Sequence, residues 1–218
     1  MENIEVYISG EDMVTIAVIK RLLRYVSPRF SIIQTIPARG GEIKKKVLQC
    51  NTLAVDFPVV MLLDLDDGCA PDLKNKLLEN HEKSSHFLMN ISVDEAEAWL
   101  MADRKGFSNY FGISIDLIPK SQMQKQGGRV SRMEMAFEVK SSWMLTHQLA
   151  LHSSKKEIRQ KIGVADNHGP TKGKEYNDAI VPFVDHVWNV DAALPLSVVY
   201  SEWYDDCIHY WQIMKHPN

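Results

Sequence analysis

Three cysteines in 218 residues, Cys50, Cys69 and Cys207, are too few and too scattered for a disulfide framework or a zinc site. They suggest a reducing cytoplasm in which the thiols serve as small core residues. No apolar run approaches the roughly 20 residues of a membrane span. The opening Met1-Glu2-Asn3-Ile4 is acidic where a secretory leader would be basic. No membrane association is expected. The eight histidines make no zinc arrangement with a carboxylate, and no serine or cysteine sits in a nucleophile-elbow context. A glycine-rich nucleotide fingerprint is missing too. Gly40-Gly41 precedes a helical pattern without the required spacing, so a plain turn is the better reading, with Arg39 retained as a phosphate contact.

What the chain does have is an unbroken apolar run that ends in acid: Val59-Val60-Met61-Leu62-Leu63-Asp64-Leu65-Asp66-Asp67-Gly68. Such a run after Pro58 predicts a strand buried on both faces, as in a parallel sheet. Ligands of open parallel sheets gather at the carboxyl ends of the strands, where these aspartates fall. In an extended segment Asp64 and Asp66 point the same way and can converge on one hard cation. A turn is the plain alternative, because Asp and Gly are turn residues.

The flanking pattern agrees with a parallel sheet. Ile4–Ser9 is strand-like, and Met13–Val26 is a helix with Val14, Val18, Leu22 and Val26 at i+4 spacing. Phe30–Ile36 is a second strand, Glu42–Val55 a second helix, Leu73–Asn80 a third helix, and Phe87–Ile91 a fourth strand. Strands alternating with helices imply βαβ units, whose right-handed crossovers bring the strand ends to one edge. Glu11, Asp64 and Asp66 would share that edge. Ser92–Asp103 has a helical pattern with acids in its first turn. If it is helical, Glu95 and Glu97 do not share a face; if extended, both can look toward the acidic edge. Ser121–Val130 is polar and suggests a linker or mobile loop. Ser131–His152, Tyr176–Trp188 and Pro195–Lys215 suggest helices. The expected plan is α/β, a mainly parallel sheet flanked by helices over residues 1–104. A mainly helical, basic region over residues 105–218 would pack beside it.

The net charge of −3 is unevenly spread. Eleven basic residues face four acidic ones between Lys120 and Lys174, a local excess that suits a phosphate backbone. Lys172 and Lys174 are the candidates for nucleic-acid contact; no aromatic residues alternate with them to suggest base stacking. His168, in the same stretch, suits a solvated loop.

A strand ending in glutamate (Gly10-Glu11-Asp12) and a later strand ending in Asp64-Leu65-Asp66 resemble the Toprim domain of topoisomerases, primases and overcoming-lysogenization-defect (OLD) nucleases. The chain also resembles an uncharacterised bacterial family with a Toprim-like fold. Ala17–Leu23, Cys69-Ala70-Pro71, Val93–Asp103, Gly169-Pro170 and Tyr176-Asn177 carry that likeness, and the Glu95-x-Glu97-x-Trp99-Leu100-x-Ala102-Asp103 block is its most specific part. The resemblance implies a Toprim-like core at 1–104, with Glu11 as the Toprim glutamate and Asp64 and Asp66 as the metal-binding pair. One departure is that Asp12 follows Glu11 where glycine is usual. An ABC- or AAA-type ATPase partner in a phage-defence system is implied by the resemblance alone.

The resulting expectation is a Mg2+- (or Mn2+-) dependent phosphodiesterase, a nuclease acting on DNA or RNA. Glu11, Asp64 and Asp66 are its catalytic and metal residues, with Glu95 and Glu97 as further metal candidates. Arg39, Lys172 and Lys174 would contact nucleic acid. Magnesium takes oxygen ligands, and a pair of ions about 3.5–4 Å apart can clamp both oxygens of a phosphodiester displacement. Two alternatives stand beside it: a non-catalytic Toprim-like subunit that binds nucleic acid or an ATPase partner, and a phosphatase using Asp64 as nucleophile with Asp66 as acid. Self-association is left open.

Overall fold

The computed structural model describes residues 3–38, 40–66, 68–126, 129–135, 137–166, 172–196 and 198–215. Two compact units make up the chain, Met1–Val93 with Glu202–Asn218, and Asp94–Ser201. The division therefore differs from the one expected at residue 104. It falls just after the fourth strand, and the last segment of the chain counts with the first unit rather than the second.

In the first unit the elements are β1 (Ile4–Gly10), α1 (Met13–Val26), β2 (Phe30–Thr35), α2 (Glu42–Lys45), α3 (Val47–Leu53), β3 (Val59–Asp64), α4 (Ala70–Leu78) and β4 (Phe87–Ser92). The strands form one all-parallel sheet in the order β2-β1-β3-β4, the α/β architecture expected. β3 is central and hydrogen-bonded on both sides, and Val59 through Leu63 are all buried. Its alternate residues Val59, Met61 and Leu63 join Phe87, Met89 and Ile91 of β4 in a core with Ile43, Val47, Cys50 and Leu78 from the helices. Val60 and Leu62 face the other way, on the side where α1 meets β1 and β3. An unbroken apolar run is what burial on two faces requires.

α1 starts where its chemistry says it should. The Asp12 carboxylate accepts from the Thr15 N–H at 2.9 Å, and Thr15 Oγ1 accepts from the Asp12 N–H at 2.9 Å, a reciprocal capping box. The single helix expected over Glu42–Val55 is instead broken at Lys46. There the backbone takes an i→i+3 bond to Ile43 O, while the Lys46 ammonium donates to the Pro37 carbonyl. Cys50 and Cys207 are core thiols, and burial pushes Cys50 up to about 11. Cys69 is exposed, against expectation, because it precedes α4 in the loop after the acidic run.

The second unit runs α5 (Glu95–Ala102), α6 (Arg104–Phe111), β5 (Ser121–Gln126), β6 (Arg129–Met135), α7 (Ser141–Met144), α8 (Lys156–Lys161), α9 (Tyr176–His186) and α10 (Val190–Ala193). α11 (Val198–Lys215) crosses from this unit into the first. β5 and β6 pair antiparallel where a linker and the start of a helix were expected. The helix expected from Ser131 begins only at Ser141, and it passes into a π turn at Leu145–Leu149. There Thr146 Oγ1 donates back to the Ser142 carbonyl at 3.0 Å, with Trp143 O at 3.2 Å, so a hydroxyl competes for helix acceptors. Phe107, Phe111 and Phe183 form the aromatic centre of the unit, and Trp188 Nε1 donates to Trp99 O at 3.3 Å. No helix among the described residues is long and apolar enough to cross a membrane.

Gly10 closes β1 against the start of α1. A Cβ there would lie 2.6 Å from Thr15 Oγ1 and 3.0 Å from the Ile16 backbone nitrogen. Gly10→Ala is therefore expected to cost about 1–3 kcal/mol in urea unfolding, as overpacking does. A loss below about 0.5 kcal/mol would show that the capping box does not set this approach.

Candidate functional site

β1 and β3 run side by side with Gly10 opposite Leu62, so Glu11 emerges beside the last residues of β3. Its Oε2 accepts from the Asp64 backbone N–H at 3.3 Å. Asp64 Oδ1 accepts from Ser92 Oγ at 2.5 Å, at the end of β4, and Ser92 is buried. Asp66 Oδ2 lies 2.5 Å from Lys44 Nζ of α2, with the two side chains 48% and 23% exposed. The loop before α2 joins the same edge, because the Gly40 N–H donates to Glu11 O at 3.3 Å. Glu11, Asp64 and Asp66 thus collect where the parallel sheet presents its carboxyl ends, as the topology predicts.

Burial is the largest influence on the Glu11 carboxyl and holds its pKa above the ordinary glutamate value. Asp66 and Asp12 push the same way, while the Asp64 N–H and the Lys44 ammonium pull it back. Among the described residues, no three His, Cys, Asp or Glu side chains are grouped closely enough to hold a metal ion. In kind, the donors fit magnesium or manganese, since all are carboxylate oxygens. Asp66 would have to give up Lys44 to join such a set.

No family model, curated protein or solved structure matches this chain.

Asp12, the residue after Glu11, is committed to capping α1. The small residue at this strand end is Gly10 instead, for the steric reason above. Arg39 and Asp67 lie outside the described residues, as does His168 with Gly169 and Pro170.

Glu95 and Glu97 belong to the second unit and are helical, the alternative in which they do not share a face. Glu97 is 2% exposed; it accepts from the Tyr176 hydroxyl at 2.6 Å and from Lys172 Nζ at 3.3 Å. Lys172 also lies over the Tyr176 ring, 4.8 Å from its centre. The lysine proposed for a phosphate backbone therefore neutralises a buried carboxylate. Glu95 Oε2 accepts from the Ser142 N–H at 2.8 Å, and its Oε1 is 3.9 Å from Lys140 Nζ. Lys174 is exposed ahead of α9. Asp103, at the end of the acidic block, accepts from the Gly106 N–H at 3.0 Å and the Asn189 N–H at 2.9 Å. It caps α6, and burial raises its pKa.

Ser92 and Lys44 are the site residues that sequence reasoning missed. A serine ending a buried strand could have drawn notice as the partner of an adjacent strand-end aspartate. A lysine in a run of three, Lys44-Lys45-Lys46, carries no such signal.

Two measurements follow from these environments. The folded state holds a proton on Glu11 more tightly than the unfolded chain does, so ionising Glu11 costs stability as pH rises above the unfolded value of about 4.3. Glu11→Gln keeps the acceptor and removes that cost. In thermal melts it should be more stable than wild type at pH 7, and the difference should disappear as pH falls below about 4. A pH-independent difference would contradict the burial argument. Tyr176→Phe removes a hydrogen bond to a buried charge and is expected to lose about 1.5–3 kcal/mol in urea unfolding.

Proposed function

We propose that the first unit is a Toprim-like, magnesium- or manganese-dependent phosphodiesterase centre acting on nucleic acid. The observation that carries this reading is the meeting of Glu11 with the end of β3, where its carboxylate takes the Asp64 N–H at 3.3 Å. It brings a glutamate and an Asp-x-Asp pair from neighbouring parallel strands to one edge, the combination that hard-cation phosphoryl chemistry uses.

Glu11, Asp64 and Asp66 would hold the cation, which would supply charge neutralisation at the phosphate and a water of lowered pKa. Ser92 Oγ donates to Asp64 Oδ1 and so fixes how that carboxylate sits at the strand end. Glu11, with its raised pKa, is suited to accept a proton from a water at this edge. Lys44 sits within reach of Asp66 and can hold a phosphate oxygen once that pair opens. Catalysis of this kind rests on positioning and charge, which a rigid sheet edge favours.

The Asp66–Lys44 pair also favours a second reading, a non-catalytic subunit in which the lysine serves as a built-in counter-ion. Lys44→Met separates the two. In the catalytic reading it takes the competing ammonium away from Asp66 and tightens Mn2+ binding about fivefold by calorimetry, the equivalent of a half-exposed ion pair worth about 1 kcal/mol. In the subunit reading neither protein binds the ion. For activity, Asp64→Asn with Asp66→Asn should abolish Mg2+-dependent cleavage of single- and double-stranded DNA and RNA while leaving the circular dichroism unchanged. Cleavage that survives this double substitution would sink the catalytic reading.

A further inference from the structure

A cavity of about 320 Å³ lies along β4 in the first unit and shares no residue with the acidic edge. Its volume is near the lower limit of about 300 Å³ for small-molecule sites, so its ligand is small. β4 is the outer strand of the sheet, and its buried Phe87 and Met89 line the cavity together with Leu78 of α4. Asp206, His209, Tyr210 and Ile213 of α11 line it too, at the i, i+3, i+4, i+7 spacing of one helix face. From Met89 to Ser92, where the acidic edge begins, is about 10 Å of strand. We propose that this cavity binds a free α-amino acid with an apolar side chain, its carboxylate at Lys83 and Lys74 and its ammonium at Asp206.

Two ammonium groups and one carboxylate line this space, and they are close enough to act on one another. Asp206 favours the charged form of Lys83, and Lys74 opposes it. Lys83 Nζ donates to the Phe87 carbonyl at 2.9 Å. The His86 carbonyl accepts from Val59 of β3, so that of Phe87, one residue on, faces the open side of the sheet. An ammonium has three donors, and this carbonyl takes one. Lys83 is exposed as a residue, yet desolvation is the largest influence on its ammonium and lowers its pKa. A ligand carboxylate beside it adds the counter-charge that Asp206 supplies in part.

The mixed charge decides the ligand class. A simple carboxylic acid would meet the lysines but bring nothing to Asp206, and a simple amine would meet Asp206 but be repelled by the lysines. An α-amino acid carries both signs on one carbon and answers both. Its side chain would lie against Leu78, Phe87, Met89 and Ile213. Ile213 is 53% exposed, apolar surface that a bound side chain would take out of water. Tyr210 is held in place before any ligand arrives. Its hydroxyl shares a hydrogen bond with His86 Nδ1 at 3.0 Å, and the two rings meet edge to face at 5.7 Å. A wall fixed in this way lowers the ordering cost of binding. Ser85 and His209, the remaining polar lining residues, add hydrogen-bonding groups.

The test uses the full chain in EDTA, which keeps divalent cations away from the acidic edge. Calorimetry titrates leucine, methionine, phenylalanine and glycine. Isocaproate and isoamylamine, which are leucine without its amino group and without its carboxyl group, serve as single-charge probes. The expected result is saturable binding of at least one of the three apolar amino acids, with glycine and both single-charge probes at least about tenfold weaker. Asp206→Asn, at an exposed residue, should weaken the amino acid about tenfold without weakening isocaproate, whereas Lys83→Gln should weaken both. Absence of saturable binding by all three apolar amino acids would overturn the proposal. So would isocaproate binding as tightly as the best amino acid, or wild-type affinity in a folded Asp206→Asn protein.

Discussion

β3 must satisfy its backbone on both edges while burying both faces, and the first unit is built around that demand. The parallel pairing with β1 on one side and β4 on the other meets it, with Val59 to Leu63 supplying the buried surface. Polar residues can then appear only where the strand runs out. Because all the strands are parallel, those ends fall on one edge, and the acids after β1 and β3 come together with the serine that ends β4. The position of Glu11 beside Asp64 is thus a consequence of register, and the register is held by apolar packing remote from the acids.

The carboxylates of the two units differ in how they are neutralised. Glu97 is nearly inaccessible and receives both a hydroxyl and an ammonium, the arrangement expected of a buried charge that supports structure. Asp103 spends its oxygens on two helix N-termini. At the sheet edge Glu11 takes a backbone N–H yet remains harder to ionise than an ordinary glutamate, because burial and neighbouring aspartates act against it. A raised carboxyl pKa such as that of Glu11 is what a bound cation would relieve. Lys44 meets part of that need.

Much of the first unit could be read from the residues. The apolar run of β3 and the i+4 spacing of α1 are strong signals, and the structure follows both. From them the parallel sheet and its acidic edge followed. The second unit resisted, for specific reasons. β5 and β6 are made of Gln, Lys, Ser and Arg with few apolar residues, so the alternation that marks a half-buried strand is faint. The helix expected across Ser131–His152 depended on methionine spacing, which does not reveal that Thr146 Oγ1 turns back on its own helix. The roles of Glu97 and Lys172 were hidden because their bond joins residues 75 positions apart.

The central claim is that Glu11, Asp64 and Asp66 act together on one divalent cation. A crystal structure of the protein soaked in Mn2+, with anomalous differences measured at the manganese edge, tests it most directly. The account predicts an ion within coordination distance of all three carboxylates, with Lys44 displaced from Asp66. Crystals saturated with Mn2+ that show no ion at this edge, with the Lys44–Asp66 pair intact, would contradict it.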